Sequence, residues 1–183
     1  GRDTSFEKIL EDFDYVYLAP GAHRSQRLEV EGENLKGVYG GVEFLRDFNL
    51  NESAWLGGEK ELGSRVAVVG GGNSAIDAAR TAVRLGAEVT ILYRRLRADM
   101  PAAEEEILAA EHEGIKIEYL VAPVRIVGED GRVSGITCRR MKLGDFDSSG
   151  RRRPVPVEGS EFTLSVDAVI AAIGQTPDLS FVP

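Results

Sequence analysis

The chain has 183 residues, 43% of them hydrophobic, which is enough for one domain with a buried core but hardly for two. Its formal net charge of -8, from 30 acidic and 22 basic residues, disfavours a nucleic-acid-binding protein, and no apolar run approaches the roughly 20 residues of a membrane span. The single cysteine, Cys138, excludes a disulfide within the chain and any dithiol redox chemistry, so we expect a buried, inert thiol in a protein of the reducing cytoplasm.

The first 63 residues predict short elements joined by polar loops. Pro20 and Gly21 end an apolar run, which is typical of a buried strand that leads into a turn. Phe44, Leu45 and Phe48 would share one face of a helix. The predicted elements are the end of a helix at 5–11, a buried strand at 15–19 and a short helix at 42–48, with loops at 22–37 and 49–63.

From residue 66 the pattern alternates regularly between strands and helices. Gly86 is placed to end the first of these helices, and three glutamates at 104–106 complement the dipole at the start of the second. Such alternation predicts a parallel sheet with right-handed crossovers. The predicted order is a strand at 66–69, a helix at 73–85, a strand at 89–93, a helix at 101–112 and a strand at 115–121.

After residue 121 the rhythm changes to that of antiparallel strands separated by turns. A very apolar strand that Gly174 closes then returns to the parallel sheet. The predicted strands are 124–127, 133–141, 161–164 and 166–173, with turns at 129–131 and 144–153. The fold class that we predict is therefore α/β, a Rossmann-like parallel sheet with helices on it and a three-stranded antiparallel β-meander crossover.

The turn between the first regular strand and its helix reads Gly-Gly-Gly-Asn-Ser-Ala and matches the G-x-G-x-x-G/A fingerprint of dinucleotide-binding proteins. Gly70 would permit the tight turn, Gly72 would let a pyrophosphate approach the backbone, and Ala75 would keep the helix close to the sheet. Free N–H groups near Asn73 and Ser74 would then meet the phosphate charge. The pattern alone is weak, but its position between a strand and a helix favours nucleotide binding over a purely structural turn.

The residues that end the next strand indicate which nucleotide would bind. An NAD site usually has a carboxylate there for the ribose 2′-hydroxyl, whereas this strand ends in Arg94 and Arg95 and the first acid is Asp99. Guanidinium groups pair with phosphate by charge and by geometry, so the sequence favours NADP(H) over NAD(H), with Arg97 as a weaker third candidate. The alternative is a solvated basic strand end, or arginines that pair with the glutamates at 104–106.

Four stretches together resemble the small subunit of NADPH-dependent glutamate synthase and its relatives, which include the NADPH-handling parts of dihydropyrimidine dehydrogenase and of ferredoxin–NADP oxidoreductases. The resemblance covers nearly the whole chain. The four stretches are VAVVGGGNSAIDAARTAVRLGAEVTILYRR at 66–95, Met-Pro at 100–101, RRRPVPVEGSEF at 151–162 and AVIAAIGQTPD at 168–178.

The resemblance implies two Rossmann-like domains, one for FAD and one for NADP(H), with the second inserted into the first and with three antiparallel strands in place of one crossover helix. NADPH would pass hydride to the flavin, and electrons would leave through iron–sulfur centres. Carried over by position, the cofactor-binding residues fall into three groups. They are Gly70, Gly72, Asn73, Ser74 and Ala75 for the pyrophosphate, Arg94 and Arg95 for the 2′-phosphate, and Gly174 and Gln175 near the nicotinamide.

The chain departs from this family in lacking the glycine turn for FAD and a cysteine cluster for iron–sulfur ligation. We therefore expect NADP(H) as its cofactor, with FAD in the full-length protein but not held by this chain alone. Residues 1–32 would be a remnant of the FAD domain with a crossover linker, 33–174 the NADP(H)-binding domain, and 175–183 the return to the FAD domain. The expected partners are that FAD domain and an iron–sulfur domain or larger subunit. The alternatives are a stand-alone NAD(P)-binding module without redox activity and an acidic interaction domain.

Overall fold

The computed structural model describes residues 3–147 and 150–182, so the first two residues of the predicted linker and the last of the predicted return segment lie outside the described residues. A single 3-10 turn, Arg97–Asp99, precedes the last helix. In chain order the elements are α1 (Phe6–Asp12), β1 (Arg24–Ser25), β2 (Val38–Gly40), α2 (Gly41–Leu50), α3 (Glu52–Leu56), β3 (Arg65–Val69), α4 (Asn73–Arg84), β4 (Glu88–Tyr93), α5 (Glu104–His112), β5 (Lys116–Tyr119), β6 (Val121–Glu129), β7 (Arg132–Phe146), β8 (Arg152–Leu164), β9 (Ala168–Ala171) and β10 (Gln175–Thr176).

Five parallel strands form the central sheet, in the order β2-β9-β3-β4-β5. The connection from β5 to β9 is the antiparallel sheet β6-β7-β8 rather than a helix. The predicted fold class, a Rossmann-like parallel sheet with a β-meander crossover, is confirmed. A third, two-stranded sheet pairs β1 with β10.

Both faces of the parallel sheet are covered by other elements. Successive side chains of a strand point to opposite sides of the sheet, so each strand contributes to a core on both faces. On one face, Val66, Val68 and Ile170 pack against the helices α2, α4 and α5 in one core cluster. On the other face, Ala67 and Val169 pack against buried residues of the antiparallel sheet in a second cluster. The inner strands β9 and β3 and most of β4 are therefore apolar, as expected for strands that are buried on both sides, whereas the edge strand β5 carries Lys116 and Glu118.

The helices predicted at 73–85 and 42–48 and the strands predicted at 66–69 and 89–93 are confirmed within two residues at each end. Gly86 has φ +87°, the left-handed conformation that ends a helix. The turn predicted at 129–131 is also present, with Asp130 at φ +51° and Gly131 at φ +75°.

Several predictions about element bounds are wrong. The loop predicted at 49–63 contains α3, and β8 begins at Arg152, within the turn predicted at 144–153 and nine residues before the strand predicted at 161–164. Residues 15–19 form no regular secondary structure and pair with no strand of the described chain, and Tyr15 and Tyr17 are 95% and 93% exposed. The helix predicted from residue 101 begins at Glu104, because the preceding residues are held in an extended form against the glycine turn, where the Ala102 N–H donates to the Gly71 carbonyl at 3.1 Å. The strand predicted to continue to 121 breaks at Leu120, whose φ of +56° redirects the chain into β6.

In the described residues, 3–147 and 150–182, none of the helices is long and apolar enough to cross a membrane, and no group of three or more His, Cys, Asp or Glu side chains is arranged to hold a metal ion. Cys138 is buried within the second core cluster, and this burial raises the pKa of its thiol to about 12. The expectation of a buried thiol is confirmed.

Candidate functional site

A cleft of about 750 Å³ opens at the carboxyl ends of β3, β4 and β9, which is where ligands bind in open parallel sheets. Its walls include the glycine turn after β3, the end of β4, the start of the antiparallel sheet and the segment after β9. The segment at and after β1, the start of α2, Pro101 and Arg151 complete the lining. The predicted site residues among its lining are Gly70, Gly72, Asn73, Ser74, Arg94, Arg95, Gly174 and Gln175.

The three glycines of the turn have different physical roles. Gly70 has φ +144°, and a Cβ atom there would lie 2.2 Å from the carbonyl oxygen of Ala172, so only glycine fits where the chain leaves β3 beside the end of the neighbouring strand β9. A Cβ at Gly71 would lie 2.5 Å from the ring of Tyr93. At Gly72 the nearest heavy atom to a Cβ would be the Cγ of Pro101, 3.8 Å away. The missing side chain at Gly72 therefore leaves open space in the cleft.

Helix α4 begins at this turn with its donors facing the cleft. Gly72 is its N-cap and supplies no side-chain cap, and the first intrahelical bonds run from the N–H groups of Ala75 and Ile76 to the Gly72 carbonyl. The N–H groups that precede these bonds have no acceptor within the helix and attract anions. Asn73 accepts a hydrogen bond from the Ala103 N–H through its Oδ1 at 3.0 Å, which joins the turn to the start of α5.

Ala75 requires a correction to the predicted site. It is fully buried, does not line the cleft, and its N–H donates to the Gly72 carbonyl at 2.9 Å. A Cβ at Gly70 would lie 3.3 Å from the Cβ of Ala75, so the alanine keeps the start of the helix close to the strand. Its part in the site is packing, and direct contact with a pyrophosphate is not available to its side chain.

The two arginines that end β4 are not equivalent. Arg94 is exposed, lines the cleft, and makes no hydrogen bond or ion pair with any residue in the described part of the chain. The side chain of Arg95 is only 8% exposed, and its Nη2 lies 3.1 Å from Oδ2 of Asp147. Its Nε donates to the carbonyl oxygen of Arg152 at 3.2 Å. Sequence reasoning treated the two guanidiniums as one pair, whereas Arg95 is bound to the antiparallel sheet.

The remaining candidates for a phosphate or ribose contact are engaged elsewhere. Arg97 pairs with Glu104 at 2.8 Å and also with Glu111, so it is held against α5 and not at the cleft. Asp99 accepts the N–H of Leu96 through its Oδ2 at 3.2 Å, within the 3-10 turn. No carboxylate of the described chain lines the cleft, and an acceptor for a ribose 2′-hydroxyl of the kind usual in NAD sites is missing from its walls.

Gly174 and Gln175 lie on the wall of the cleft that β9 leads into. Gly174 has φ +145°, and a Cβ there would lie 2.7 Å from Oε1 of Gln26, whose N–H donates to the Gly174 carbonyl at 2.9 Å. Gln175 reaches across to α4, where its Nε2 donates to Oγ of Ser74 at 3.0 Å. The Gln26 contact joins the segment after β1 to the segment after β9, and the Gln175 contact joins the segment after β9 to α4, at the edge of the cleft.

Tyr93 and Arg151 are among the lining residues of the cleft that sequence reasoning missed. Tyr93 lies under Gly71, and its hydroxyl donates to the Asp99 carbonyl at 2.6 Å; burial raises its pKa, against the opposing charges of Arg95 and Arg151. Arg151 is exposed and lines the cleft, although the arginine run at 151–153 favours a solvated strand. Its position 57 residues after Arg94 left no sequence signal that both residues would line one cleft.

Comparison with known proteins identifies the family. Residues 5–182 match the family described as pyridine nucleotide-disulphide oxidoreductase. The chain belongs to this family. Solved structures share the fold of this pyridine nucleotide-disulphide oxidoreductase chain. One is FprA of Mycobacterium tuberculosis in complex with NADPH, which has a TM-score of 0.75 and 21% sequence identity. The match covers 93% of this chain and 52% of that one. Thioredoxin reductase of T. acidophilum has a TM-score of 0.59 at 22% identity, over 86% of this chain and 43% of that one.

Curated relatives are more similar in sequence. The chain is 52% identical to the NADPH-Fe(3+) oxidoreductase subunit beta of Geobacter sulfurreducens, over 100% of this chain and 27% of that protein. It is 50% identical to the NADP(+)-dependent formate dehydrogenase subunit beta of Moorella thermoacetica, over 99% of this chain and 25% of that protein. It is 39% identical to the glutamate synthase [NADPH] small chain of Escherichia coli, over 97% of this chain and 39% of that protein. The predicted resemblance is confirmed, and the chain spans about a quarter to two fifths of these oxidoreductases.

Proposed function

We propose that this chain is the NADP(H)-binding domain of an FAD-dependent oxidoreductase, in which NADPH passes hydride to the flavin and electrons continue to iron–sulfur centres. The relatives named for NADPH or NADP(+) support the nucleotide, and the match to the pyridine nucleotide-disulphide oxidoreductase family supports the redox class. FAD would supply the hydride acceptor, and the residues of this chain would bind and orient the nucleotide.

One arrangement carries the proposal: open space at Gly72 adjoins a helix end without a side-chain cap, and the same cleft holds Arg94, an exposed guanidinium that makes no hydrogen bond or ion pair with a described residue. A diphosphate above Gly72 would accept hydrogen bonds from the free N–H groups near Asn73 and Ser74. Arg94 would then meet the 2′-phosphate that distinguishes NADP(H) from NAD(H).

The nicotinamide end of the nucleotide would lie toward Gly174 and Gln175. The hydrogen bond from Gln175 to Ser74 closes this end against α4, and the absence of a side chain at Gly174 keeps the backbone close to the cleft. Ile173, which is 43% exposed, adds an apolar surface on the same wall. These residues would hold the ring and exclude water, while no side chain of the described cleft is needed as an acid or a base for hydride transfer.

We further propose that residues 1–32 and 175–183 connect the domain at 33–174 to an FAD domain of the same protein. The pairing of β1 with β10 brings the two connections side by side. Tyr15, Tyr17 and Leu18 expose apolar surface that a neighbouring domain would cover. An iron–sulfur domain or larger subunit would be the next electron acceptor, and the assembly would work in the cytoplasm.

Titration calorimetry with NADPH, NADH and 2′-phospho-ADP tests the nucleotide assignment on the full chain. We expect the 2′-phosphorylated ligands to bind at least about tenfold tighter than NADH, and Arg94→Ala to remove most of this preference. Arg84→Ala is the matched control, since Arg84 is an exposed arginine in the last turn of α4, at the end of the helix away from the cleft.

Two other outcomes would favour the alternatives. Equal and weak binding of NADPH and NADH would indicate a stand-alone NAD(P)-binding module rather than the NADPH-binding part of a flavin enzyme. Failure to bind any of the three ligands would contradict the nucleotide proposal itself and favour a structural glycine turn in an interaction domain.

A further inference from the structure

The charge at the phosphate end of the cleft does not balance if Arg94 acts alone. A phosphate monoester carries about -1.5 to -2 charge at neutral pH, which exceeds the single positive charge of one guanidinium. Arg95 is the obvious second cation from the sequence. Its guanidinium is, however, paired with Asp147 and bonded to the Arg152 carbonyl, and its side chain is 8% exposed.

Three consecutive arginines, 151–153, lie where β8 begins, and only the first lines the cleft. Arg152 turns back to its own hairpin, where its Nε donates to the carbonyl of Gly144 at 3.1 Å. Arg153 is exposed and lies outside the cleft lining. Arg151 is exposed, shares the cleft with Arg94, and is close enough to Tyr93 for its charge to act on the tyrosine hydroxyl.

A single carboxylate connects Arg95 to the backbone of Arg151. Oδ2 of Asp147 contacts Nη2 of Arg95 at 3.1 Å, while Oδ1 accepts the Arg151 N–H at 3.1 Å. The Asp147 N–H in turn donates to the Arg151 carbonyl at 2.7 Å. The end of β4 therefore fixes where this part of the antiparallel sheet lies relative to the cleft.

Resting on the proposed function, we propose that Arg151 is a second cation for the ribose 2′-phosphate, and that Arg95 is a positioning residue that holds Arg151 at the cleft through Asp147. The antiparallel sheet thereby supplies part of the specificity for NADP(H). The parallel sheet supplies Arg94 and the glycine turn. The 2′-phosphate would therefore bind between Arg94, at the end of the parallel sheet, and Arg151, at the end of the antiparallel sheet.

Paired titrations with 2′-phospho-ADP and ADP test this assignment, because the two probes differ only in the 2′-phosphate. In the full chain we expect Arg151→Ala to weaken 2′-phospho-ADP binding about tenfold while the affinity for ADP changes less than about twofold. Arg151→Lys should keep most of the preference, since it retains the charge. Arg153→Ala is the matched control and should leave both affinities unchanged.

The variant Asp147→Asn separates the two possible roles of Arg95 by the sign of its effect. If Arg95 were itself the phosphate ligand, freeing it from Asp147 and removing a nearby negative charge would strengthen 2′-phospho-ADP binding. If Arg95 positions Arg151, the same variant weakens 2′-phospho-ADP binding and spares ADP. Circular dichroism of each variant would verify that the fold is retained.

An equal loss of affinity for ADP and 2′-phospho-ADP in Arg151→Ala, or an effect no larger than that of Arg153→Ala, would overturn the assignment. So would tighter binding of 2′-phospho-ADP by Asp147→Asn. If the unsubstituted chain binds neither probe, the proposed function fails. A preference for 2′-phospho-ADP that survives in Arg151→Ala leaves the proposed function intact and removes only this inference.

Discussion

At the scale of single residues, Gly70 and Gly72 lie two positions apart in one turn but are glycine for different reasons. Gly70→Ala would place a Cβ 2.2 Å from a carbonyl oxygen at φ +144°, and we expect it to lower the free energy of unfolding by roughly 2 kcal/mol or more. Urea denaturation measures this loss. An unfolding free energy equal to that of the unsubstituted chain would contradict the geometry of the turn.

Gly72→Ala should behave in the opposite way. Its Cβ would meet nothing closer than 3.8 Å, so the free energy of unfolding should change by less than about 1 kcal/mol, while NADPH binding should weaken about tenfold or more because the methyl group fills the space for the diphosphate. Calorimetric titration of both glycine variants gives the comparison. A Gly72→Ala chain that binds NADPH normally would contradict the position proposed for the diphosphate.

Cys138 shows how burial controls reactivity. Burial raises the pKa of its thiol to about 12, so the reactive thiolate is scarce at pH 8 and access is blocked as well. We expect a thiol reagent such as dithionitrobenzoate to label the folded chain very slowly and to label one thiol rapidly in denaturant. Rapid stoichiometric labelling of the folded chain would contradict this assignment.

The sequence alone was sufficient to predict part of the candidate site but not all of it. The glycine turn could be placed from the sequence because a strand, three glycines and a helix follow one another directly. The difference between Arg94 and Arg95 could not, because the partner of Arg95 is 52 residues away on another sheet. Arg151 was missed for the same reason, since only the folding of the antiparallel sheet brings it to the cleft.

At the scale of elements, Asp167 joins the start of β3 to the start of β9. Hydrogen bonds from Arg65, and from Ser64, lower the pKa of its carboxyl from 3.8 to about 2. Because the folded-state pKa is the lower one, this carboxylate stabilises the fold fully above about pH 4 and loses that contribution as the pH falls through about 2.

Asp167→Asn should therefore lower the free energy of unfolding at pH 6 and reduce its fall between pH 4 and pH 2. Urea denaturation across that range measures both effects, and Glu59→Gln, at an exposed glutamate, is the control. An identical pH dependence in Asp167→Asn and the unsubstituted chain would show that this carboxylate does not link the two strands energetically.

Long periodic elements were predicted well and short ones poorly. The core of β3, α4 and β4 follows from apolar periodicity that burial on both faces of the sheet imposes. β2 was missed because it has only three residues and its pairing with β9 is between distant parts of the chain. The strand predicted at 15–19 was wrong because an apolar run indicates burial, whereas nothing in the described chain covers Tyr15 and Tyr17.

At the scale of the whole molecule, this exposed surface is the feature that the nucleotide cleft does not explain. Because Tyr15 and Tyr17 are 95% and 93% exposed, the double variant Tyr15→Ser, Tyr17→Ser should leave the melting temperature of the chain unchanged. In the full-length protein the same variant should weaken flavin retention if an FAD domain covers these side chains. Unchanged flavin content there would contradict the proposed domain contact.

The central claim is that NADP(H) binds in the cleft at the carboxyl ends of β3, β4 and β9, and a crystal structure of the chain with NADP(+) tests it most directly. We expect the diphosphate over Gly72 and the first turn of α4, the 2′-phosphate between Arg94 and Arg151, and Arg95 still paired with Asp147. A nucleotide bound elsewhere, or a 2′-phosphate that neither Arg94 nor Arg151 contacts, would contradict it.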